Sequence, residues 1–241
     1  NGNTLVFNGE IYNYIEVREQ LKVKGYTFET DSDTEVVVKA YVEYGMDCVQ
    51  HFNGMWSFVI WDDRQKKMFL SRDRFAEKPL YYYEDTDGLY FASEIKAIQS
   101  LLQKKLEINY DHLKRYLVYG YKFLNKTSEE YFHGIHQIEF SSNATIDCDL
   151  NLTQFKYWKP KTNIKDMTLD DAIEGSKYHL LESVKLRLRS DVPLAFCLSG
   201  GVDSTSLASI AKKEFNYDVA TFSIIDPDTR YNELDNIQAT I

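Results

Sequence analysis

The sequence predicts two fold classes in succession. An α+β domain is expected over residues 1–160 and the start of an α/β domain with a parallel sheet over residues 166–241. Two helix-like segments followed by strand hairpins predict the first class. A continuous apolar run leading into a glycine-rich loop and a helix predicts the second. Between them, residues 160–166 are polar and lack apolar periodicity, which is typical of a linker.

The first domain begins with a strand over residues 3–7, and the pair Asn8-Gly9 then predicts a turn. A helix over residues 14–24 has apolar residues at helical spacing and stops at Gly25.

A second helix follows Ser32, which with Glu35 has the spacing of a capping box, and Gly45 ends this helix. Alternating and aromatic-rich runs then predict two hairpins, and two further helices follow. The predicted hairpin strands and helices are 56–61 with 67–72, 79–83 with 89–92, 94–102 and 110–118.

The second domain opens with a helix that runs to about Arg189, and Thr168 with Asp171 form its predicted capping box. The apolar run 192–198 predicts a strand that is buried on both faces, with Cys197 packed in the core. A helix over 203–215 and a strand over 219–225 complete a β-loop-α-β unit.

Composition excludes several classes of protein. Lys and Arg number 28 against 37 Asp and Glu, a net charge of −9, which argues against a nucleic-acid partner because phosphate contacts need clustered cations. The longest apolar runs are too short to span a membrane, so no membrane association is expected. Three cysteines without pairing spacing indicate a reducing compartment, and we expect a cytoplasmic location.

The ends of the sequence predict a fragment. It begins at Asn1 without Met and enters an apolar strand at once, and it stops at Ile241 within a predicted helix.

The loop from Leu198 to Ser204 has the composition of a phosphate site. Paired glycines, Gly200 and Gly201, let the backbone approach a ligand, and the start of the next helix favours an anion. Ser199 and Ser204 add hydroxyl donors, while Asp203 contributes only if a metal or a proton offsets its charge, which suggests Mg²⁺ with pyrophosphate. The alternative is an ordinary strand-to-helix turn capped by Ser and Asp. No Lys follows the glycines, so the loop is not a Walker A motif.

The segment Asn8-Gly9-Glu10 is the second candidate. An Asn side-chain amide next to a Gly N–H offers two donors that can converge on one oxyanion, and Glu10 with Asp33 offers two carboxylates for an ammonium group. The alternative is a strand, an Asn-Gly turn and a helix capped by Asn13.

LSGGVDS, preceded by SDVPL, resembles the pyrophosphate loop of the ATP pyrophosphatase group, whose members cleave ATP between the α and β phosphates. The resemblance implies ATP binding, with a phosphate cradle and adenine contacts from the backbone. The implied ATP-binding residues are Leu198, Ser199, Gly200, Gly201, Asp203, Ser204 and Ile224.

The first domain resembles the class II glutamine amidotransferase domain, in the order found in the asparagine synthetase family. FNGEIYN, SDTE, FNGMWSF, RDRF with KPLYY, and ASEIKA carry the resemblance. It implies an αββα sandwich of the N-terminal-nucleophile type, with Asn8 and Gly9 as the oxyanion hole and Glu10 and Asp33 binding the amino group of glutamine.

The sequence departs from this family pattern in three respects. The family uses an N-terminal Cys as nucleophile and an Arg for the glutamine carboxylate, both expected upstream of residue 1, and Cys48, Cys148 and Cys197 match no nucleophile position. Ala76 stands where Gly is usual, which constrains a tight turn.

The resemblance implies amidation of aspartate to asparagine through an acyl-adenylate, with ATP, Mg²⁺ and ammonia from glutamine. Dimers are common among relatives of this kind, which makes a homodimer an expected assembly. The alternatives are amidation of another carboxylate in a cell-surface or secondary-metabolite pathway and a non-catalytic nucleotide-binding module. The fragment alone is expected to be inactive.

Overall fold

The computed structural model describes residues 2–162, 166–228, 230 and 232–240, without the side chains of residues 123 and 125. The chain divides into two compact units, Asn1–Lys161 and Thr162–Ile241. Residues 163–165 of the expected linker lie outside the described residues.

Unit 1 mixes helices with antiparallel strands, as predicted. Its elements in chain order are β1 (Thr4–Ile11), α1 (Tyr14–Val23), α2 (Asp33–Tyr44), a 3-10 helix (Gly45–Gln50), β2 (Gly54–Asp62), β3 (Lys67–Arg72), β4 (Tyr81–Asp85), β5 (Gly88–Ala92), α3 (Ile95–Leu102), α4 (Tyr110–Tyr119), a second 3-10 helix (Tyr121–Lys126), β6 (Ile135–Gln137), β7 (Ser142–Ile146) and β8 (Leu152–Lys156). Within the described residues the strands form one sheet in the order β1-β2-β3-β7-β8 and another in the order β5-β4-β6. Every neighbouring pair in both sheets is antiparallel.

Three apolar clusters define the layers. Val17 and Val37 of α1 and α2 pack with Trp56 and Phe58 on one face of the larger sheet. Residues of the opposite face, such as Leu70, pack against side chains of the smaller sheet, and α3 covers the outer face of that second sheet. The order helix, sheet, sheet, helix is the expected αββα sandwich.

The predicted turn at Asn8-Gly9 is wrong. β1 continues through both residues to Ile11 and pairs with β2 along its whole length. Strand pairing overrides the turn propensity of the Asn-Gly pair, because here the small glycine meets a close approach of two backbones.

The predicted Ser32–Glu35 capping box is also wrong, although Ser32 is the N-cap of α2 and its side chain accepts from the Thr34 N–H. The Glu35 carboxylate instead accepts hydrogen bonds from the backbone N–H groups of Glu29 and Thr30 and from the Thr30 hydroxyl. Glu35 thus fastens the loop that precedes the helix.

Asp73 organises the turn after β3. Its buried carboxylate accepts from the backbone N–H groups of Phe75, Glu77 and Lys78, at 2.9–3.0 Å. Within this turn Ala76 adopts φ +55°, the left-handed region that glycine favours, so the expected constraint at this position is confirmed.

Unit 2 contains α5 (Leu169–Arg187), β9 (Ala195–Cys197), α6 (Val202–Lys213), β10 (Ala220–Phe222) and α7 (Leu234–Thr240). β9 and β10 pair in parallel, as the β-loop-α-β pattern predicted. The Thr168–Asp171 capping box is confirmed at the start of α5.

The prediction for the strand at 192–198 is wrong in extent and in burial. β9 covers only Ala195–Cys197, and both of these end residues are exposed. Cys197 is therefore not part of a hydrophobic core. Ala195 and Cys197 lie on the same face of β9, because side chains alternate along a strand, and within the described residues that face is left exposed.

No helix in the described ranges has the length and apolar character that a membrane crossing requires.

Candidate functional site

Asn8 and Glu10 lie on the same face of β1, because side chains alternate along a strand. Both are exposed, whereas Phe7 on the opposite face packs against the cluster beneath α1 and α2. In the described part of the chain β1 is an edge strand of the larger sheet. The structure thus presents the two predicted residues side by side at an open edge.

The Gly9 N–H points away from the sheet. Gly9 lies opposite Trp56 in the ladder, but Trp56 exchanges both of its backbone hydrogen bonds with Asp73 on the β3 side, donating to Oδ2 at 3.2 Å and accepting from the N–H at 2.9 Å. In an antiparallel pair, residues that do not bond to each other direct their backbone groups outward. The N–H of Gly9 is therefore directed off the edge of β1.

A side chain at position 9 would not fit. A Cβ built there would lie 2.3 Å from the Met55 carbonyl oxygen and 2.7 Å from the Trp56 Cα. Glycine is needed here for close backbone approach and not for a turn conformation.

Asp33 reaches the same edge from the start of α2. Its Oδ2 accepts from the Ile11 N–H at 2.9 Å, and Ile11 is two residues beyond Gly9 on β1. Since a strand advances about 3.3 Å per residue, the two outward N–H groups are roughly 6–7 Å apart. The Asp33 carboxylate, which is bonded to the Ile11 N–H, therefore lies beside Glu10 on the chain and on the same strand edge as the Gly9 N–H.

The loop before α2 is held by Glu35. Partial desolvation acts to raise the pKa of Glu35, but the hydrogen bonds from Thr30 and Glu29 outweigh it and lower that pKa. A carboxylate that stays ionised and fully bonded fixes the backbone from which Asp33 projects.

Two serines that the sequence reasoning missed complete the surroundings of Asn8. The Asn8 Nδ2 donates to the Ser93 Oγ at 2.9 Å, and the Ser93 Oγ lies 3.5 Å from the Ser57 Oγ. Ser57 lies directly opposite Asn8 on β2, and Ser93 follows β5. Their signal in the sequence was their presence in FNGMWSF and ASEIKA, two of the motifs that carry the resemblance.

The three cysteines of the chain have different surroundings. Cys48 is buried, and burial raises the pKa of its thiol, which makes it a poor nucleophile. The Cys148 Sγ donates to the Lys66 carbonyl, and Cys197 belongs to unit 2.

In unit 2 the loop between β9 and α6 is held in shape by hydrogen bonds that involve its own serine hydroxyl groups. The Ser204 Oγ accepts from the Ser199 N–H at 3.2 Å and lies 3.1 Å from the Ser199 Oγ, which in turn accepts from the Gly201 N–H at 3.4 Å. Ser199, Gly201 and Ser204, all predicted site residues, therefore meet in one loop.

The backbone of this loop requires glycine at one position. Gly200 has φ +79°, and a Cβ there would lie 3.0 Å from the Asn236 Cβ. Gly201 is the N-cap of α6 and provides no side-chain acceptor for the first N–H groups of that helix. These N–H groups and the helix dipole make the start of α6 favourable for an anion.

Leu198 and Ile224 lie at the carboxyl ends of the two parallel strands. The backbone of Leu198 is already engaged, since its N–H donates to the Phe222 carbonyl at 2.8 Å and its carbonyl accepts from the Ser223 hydroxyl at 2.7 Å. Ile224 is 98% exposed and Leu198 only 2%. Ligands of open parallel sheets bind outside this edge.

Asp203, the one residue predicted to bind a metal, is exposed in the first turn of α6. No group of three or more His, Cys, Asp or Glu side chains in the described ranges has the geometry of a metal site. The donor set nevertheless fits Mg²⁺, which is usually held by one or two carboxylates together with phosphate oxygens and waters.

With this geometry in place, the comparisons define the class of protein. Residues 1–158 match the family model described as a glutamine amidotransferase domain, so the chain belongs to that family. Residues 176–241 match the model described as asparagine synthase, and this succession identifies the chain with the glutamine-hydrolysing asparagine synthetase family.

Curated relatives carry the same name. The chain is 37% identical over 236 residues to "Asparagine synthetase [glutamine-hydrolyzing] 1" of Bacillus subtilis, covering 98% of this chain and 37% of that protein. It is 36% identical over 212 residues to a "Putative asparagine synthetase [glutamine-hydrolyzing] 2" of Methanocaldococcus jannaschii, covering 87% of this chain and 40% of that one. The chain thus spans well under half the length of these relatives.

Among solved structures, glutamine phosphoribosylpyrophosphate amidotransferase from B. subtilis gives a TM-score of 0.47 at 15% identity. The match covers 94% of this chain and 47% of that one.

Proposed function

We propose that this chain forms the glutamine-hydrolysing unit and the beginning of the ATP-binding unit of a ligase that converts aspartate to asparagine. The observation that supports it most is the edge of β1. There an outward Gly9 N–H, the Asn8 amide and the Asp33 carboxylate lie along the same edge strand.

In the first half-reaction, Asn8 and Gly9 donate to the amide oxygen of glutamine. A thiolate attacks the amide carbon, negative charge moves onto that oxygen, and the two N–H donors stabilise it. The nucleophile is the N-terminal Cys that the family resemblance implies. When this tetrahedral intermediate collapses to a thioester, the amide nitrogen takes up a proton and leaves as ammonia. Water then hydrolyses the thioester, which gives glutamate and frees the thiol.

Glu10 and Asp33 bind the α-ammonium group of glutamine. The roughly 6–7 Å between the outward N–H groups of Gly9 and Ile11 suits the separation of the two ends of this amino acid. Two carboxylates near one cation offset its loss of hydration.

In the second half-reaction, the start of α6 and the serines of the loop hold the β and γ phosphates of ATP. Asp203 would hold Mg²⁺, which neutralises the phosphate charge when it is bound. The aspartate side-chain carboxylate attacks the α phosphorus, pyrophosphate leaves, and ammonia then displaces AMP from the acyl-adenylate. Adenylation turns a poor electrophile into one with a good leaving group.

The test is isotope exchange between pyrophosphate and ATP with the polypeptide of the complete gene. We expect exchange that depends on aspartate and Mg²⁺. Gly200→Ala should reduce it strongly, because alanine at φ +79° is strained and its Cβ would meet Asn236. Gly175→Ala in α5, where nothing lies within 4 Å of the new Cβ, is the matched control.

Two outcomes would contradict the proposal. ATP binding without exchange would indicate a nucleotide-binding module, and exchange with a carboxylate other than aspartate would indicate a different acceptor.

A further inference from the structure

The Asn8 side chain has two amide N–H groups, and the structure uses one of them within the protein. This N–H donates to the Ser93 Oγ at 2.9 Å. Because the amide is planar, a bond on one N–H fixes the direction of the other. That second N–H is the one available to a ligand at the open edge of β1.

An unanchored Asn side chain would not hold this direction. The terminal torsion of asparagine is broad, and rotation by half a turn exchanges the N–H groups for the carbonyl oxygen. A carbonyl oxygen directed at a developing oxyanion would repel it. The orientation of the Asn8 amide therefore determines whether this residue stabilises or destabilises the oxyanion.

Ser57 supplies the second link. Its Oγ lies 3.5 Å from the Ser93 Oγ, and it is buried directly opposite Asn8 on β2. When the Ser93 hydroxyl donates toward Ser57, its lone pairs are left for Asn8, so the Ser93 oxygen acts toward Asn8 only as an acceptor. Such a chain selects the orientation in which Nδ2 faces Ser93.

We infer that Ser93 is a positioning residue for glutamine hydrolysis: through its hydrogen bond it holds the Asn8 amide with one N–H directed at the oxyanion. This inference rests on the proposed glutaminase function. It gives a role to the ASEIKA segment, which lies outside the predicted set of ligand-binding residues.

The test is steady-state glutamine hydrolysis, without ATP, by the polypeptide of the complete gene. Ser93→Ala should lower kcat about tenfold with little change in KM, since losing an oxyanion donor outright costs about 100- to 1,000-fold and a misdirected donor costs less. Ser93→Thr keeps the hydroxyl and should restore most of the rate. Ser100→Ala, on the exposed side of α3, is the matched control and should match the wild type.

A double-mutant cycle separates this role from general stabilisation. If Ser93 acts through Asn8, Ser93→Ala should have no further effect on kcat once Asn8 is alanine. Product formation from ammonium chloride, which bypasses glutamine, and the melting temperature should both stay at the wild-type level in Ser93→Ala.

Several results would overturn the inference: a wild-type kcat in Ser93→Ala, an effect confined to KM, effects that multiply with those of Asn8→Ala, or an equal loss of ammonium-dependent activity. Absence of glutamine hydrolysis in the wild-type protein is a different outcome, because it would reject the proposed function itself and this inference with it.

Discussion

Asp33 combines a structural and a binding role in one carboxylate. Its Oδ2 accepts from the Ile11 N–H, which ties the start of α2 to the end of β1. The same negative charge is proposed to face the α-ammonium group of glutamine. The two roles are separable, because asparagine can keep the hydrogen bond to Ile11 while it removes the charge.

Asp33→Asn should therefore raise the KM for glutamine about tenfold, as expected for losing about 1.4 kcal/mol of charge-assisted binding. The effect on kcat should be smaller. Steady-state glutaminase assays measure both.

Asp31→Asn is the control, since Asp31 lies in the loop just before α2, is fully exposed and forms an ion pair with Arg18. An equal change in KM for both variants would show that loop charge in general, and not Asp33, attracts glutamine.

Single residues were predictable where a motif carries them and not where tertiary structure assembles them. Asn8, Gly9, Glu10 and Asp33 were predicted, and the structure brings them to one strand edge. Ser93 was not, because it is 85 positions from Asn8 and only the packing of two sheets brings the two side chains together.

The ladder between β1 and β2 is the element on which the proposed glutamine site depends. Gly9 and Gly54 both lie in it, and a Cβ at either position would come within 2.3 Å of a carbonyl oxygen of the opposite strand. The two backbones can therefore approach only because both residues lack side chains.

Gly9→Ala should destabilise unit 1 by about 1–3 kcal/mol, the usual cost of forcing extra atoms into a packed region. The melting temperature should fall, and the change should be visible in thermal or denaturant unfolding.

Gly175→Ala provides the contrast, because position 175 is within α5 and no atom lies within 4 Å of a Cβ added there. There alanine should stabilise the helix by about 0.5–1 kcal/mol. Equal stability of Gly9→Ala and the wild type would mean that β1 and β2 are not as close as described.

Elements were predictable to the extent that their signals are local. The helices that follow Asn13 and Ser32, the Thr168 capping box and the hairpins all match their predicted positions closely. The prediction of a turn at Asn8-Gly9 failed because the pairing of β1 with β2 involves residues that are distant in the sequence. The prediction that residues 192–198 are buried failed because burial depends on which elements cover β9.

At the scale of the whole molecule, the chain joins two units with different chemistry. Unit 1 offers amide donors and carboxylates at a strand edge, and unit 2 offers a glycine-containing loop before a helix. The α+β class followed from periodicity and the order of elements, and the αββα sandwich from the family resemblance. The strand order within each sheet did not follow, because pairing between distant strands leaves no local pattern.

Transfer of nitrogen from glutamine to the product tests the central claim most directly. The polypeptide of the complete gene would be incubated with glutamine labelled with ¹⁵N in its side-chain amide, together with aspartate, ATP and Mg²⁺. We predict ¹⁵N in the side-chain amide of asparagine, with one AMP and one pyrophosphate formed per asparagine. Asn8→Ala should lose most of this transfer yet make asparagine from ammonium chloride. Formation of glutamate and free ammonia with no labelled asparagine, or formation of ADP in place of AMP, would contradict the account.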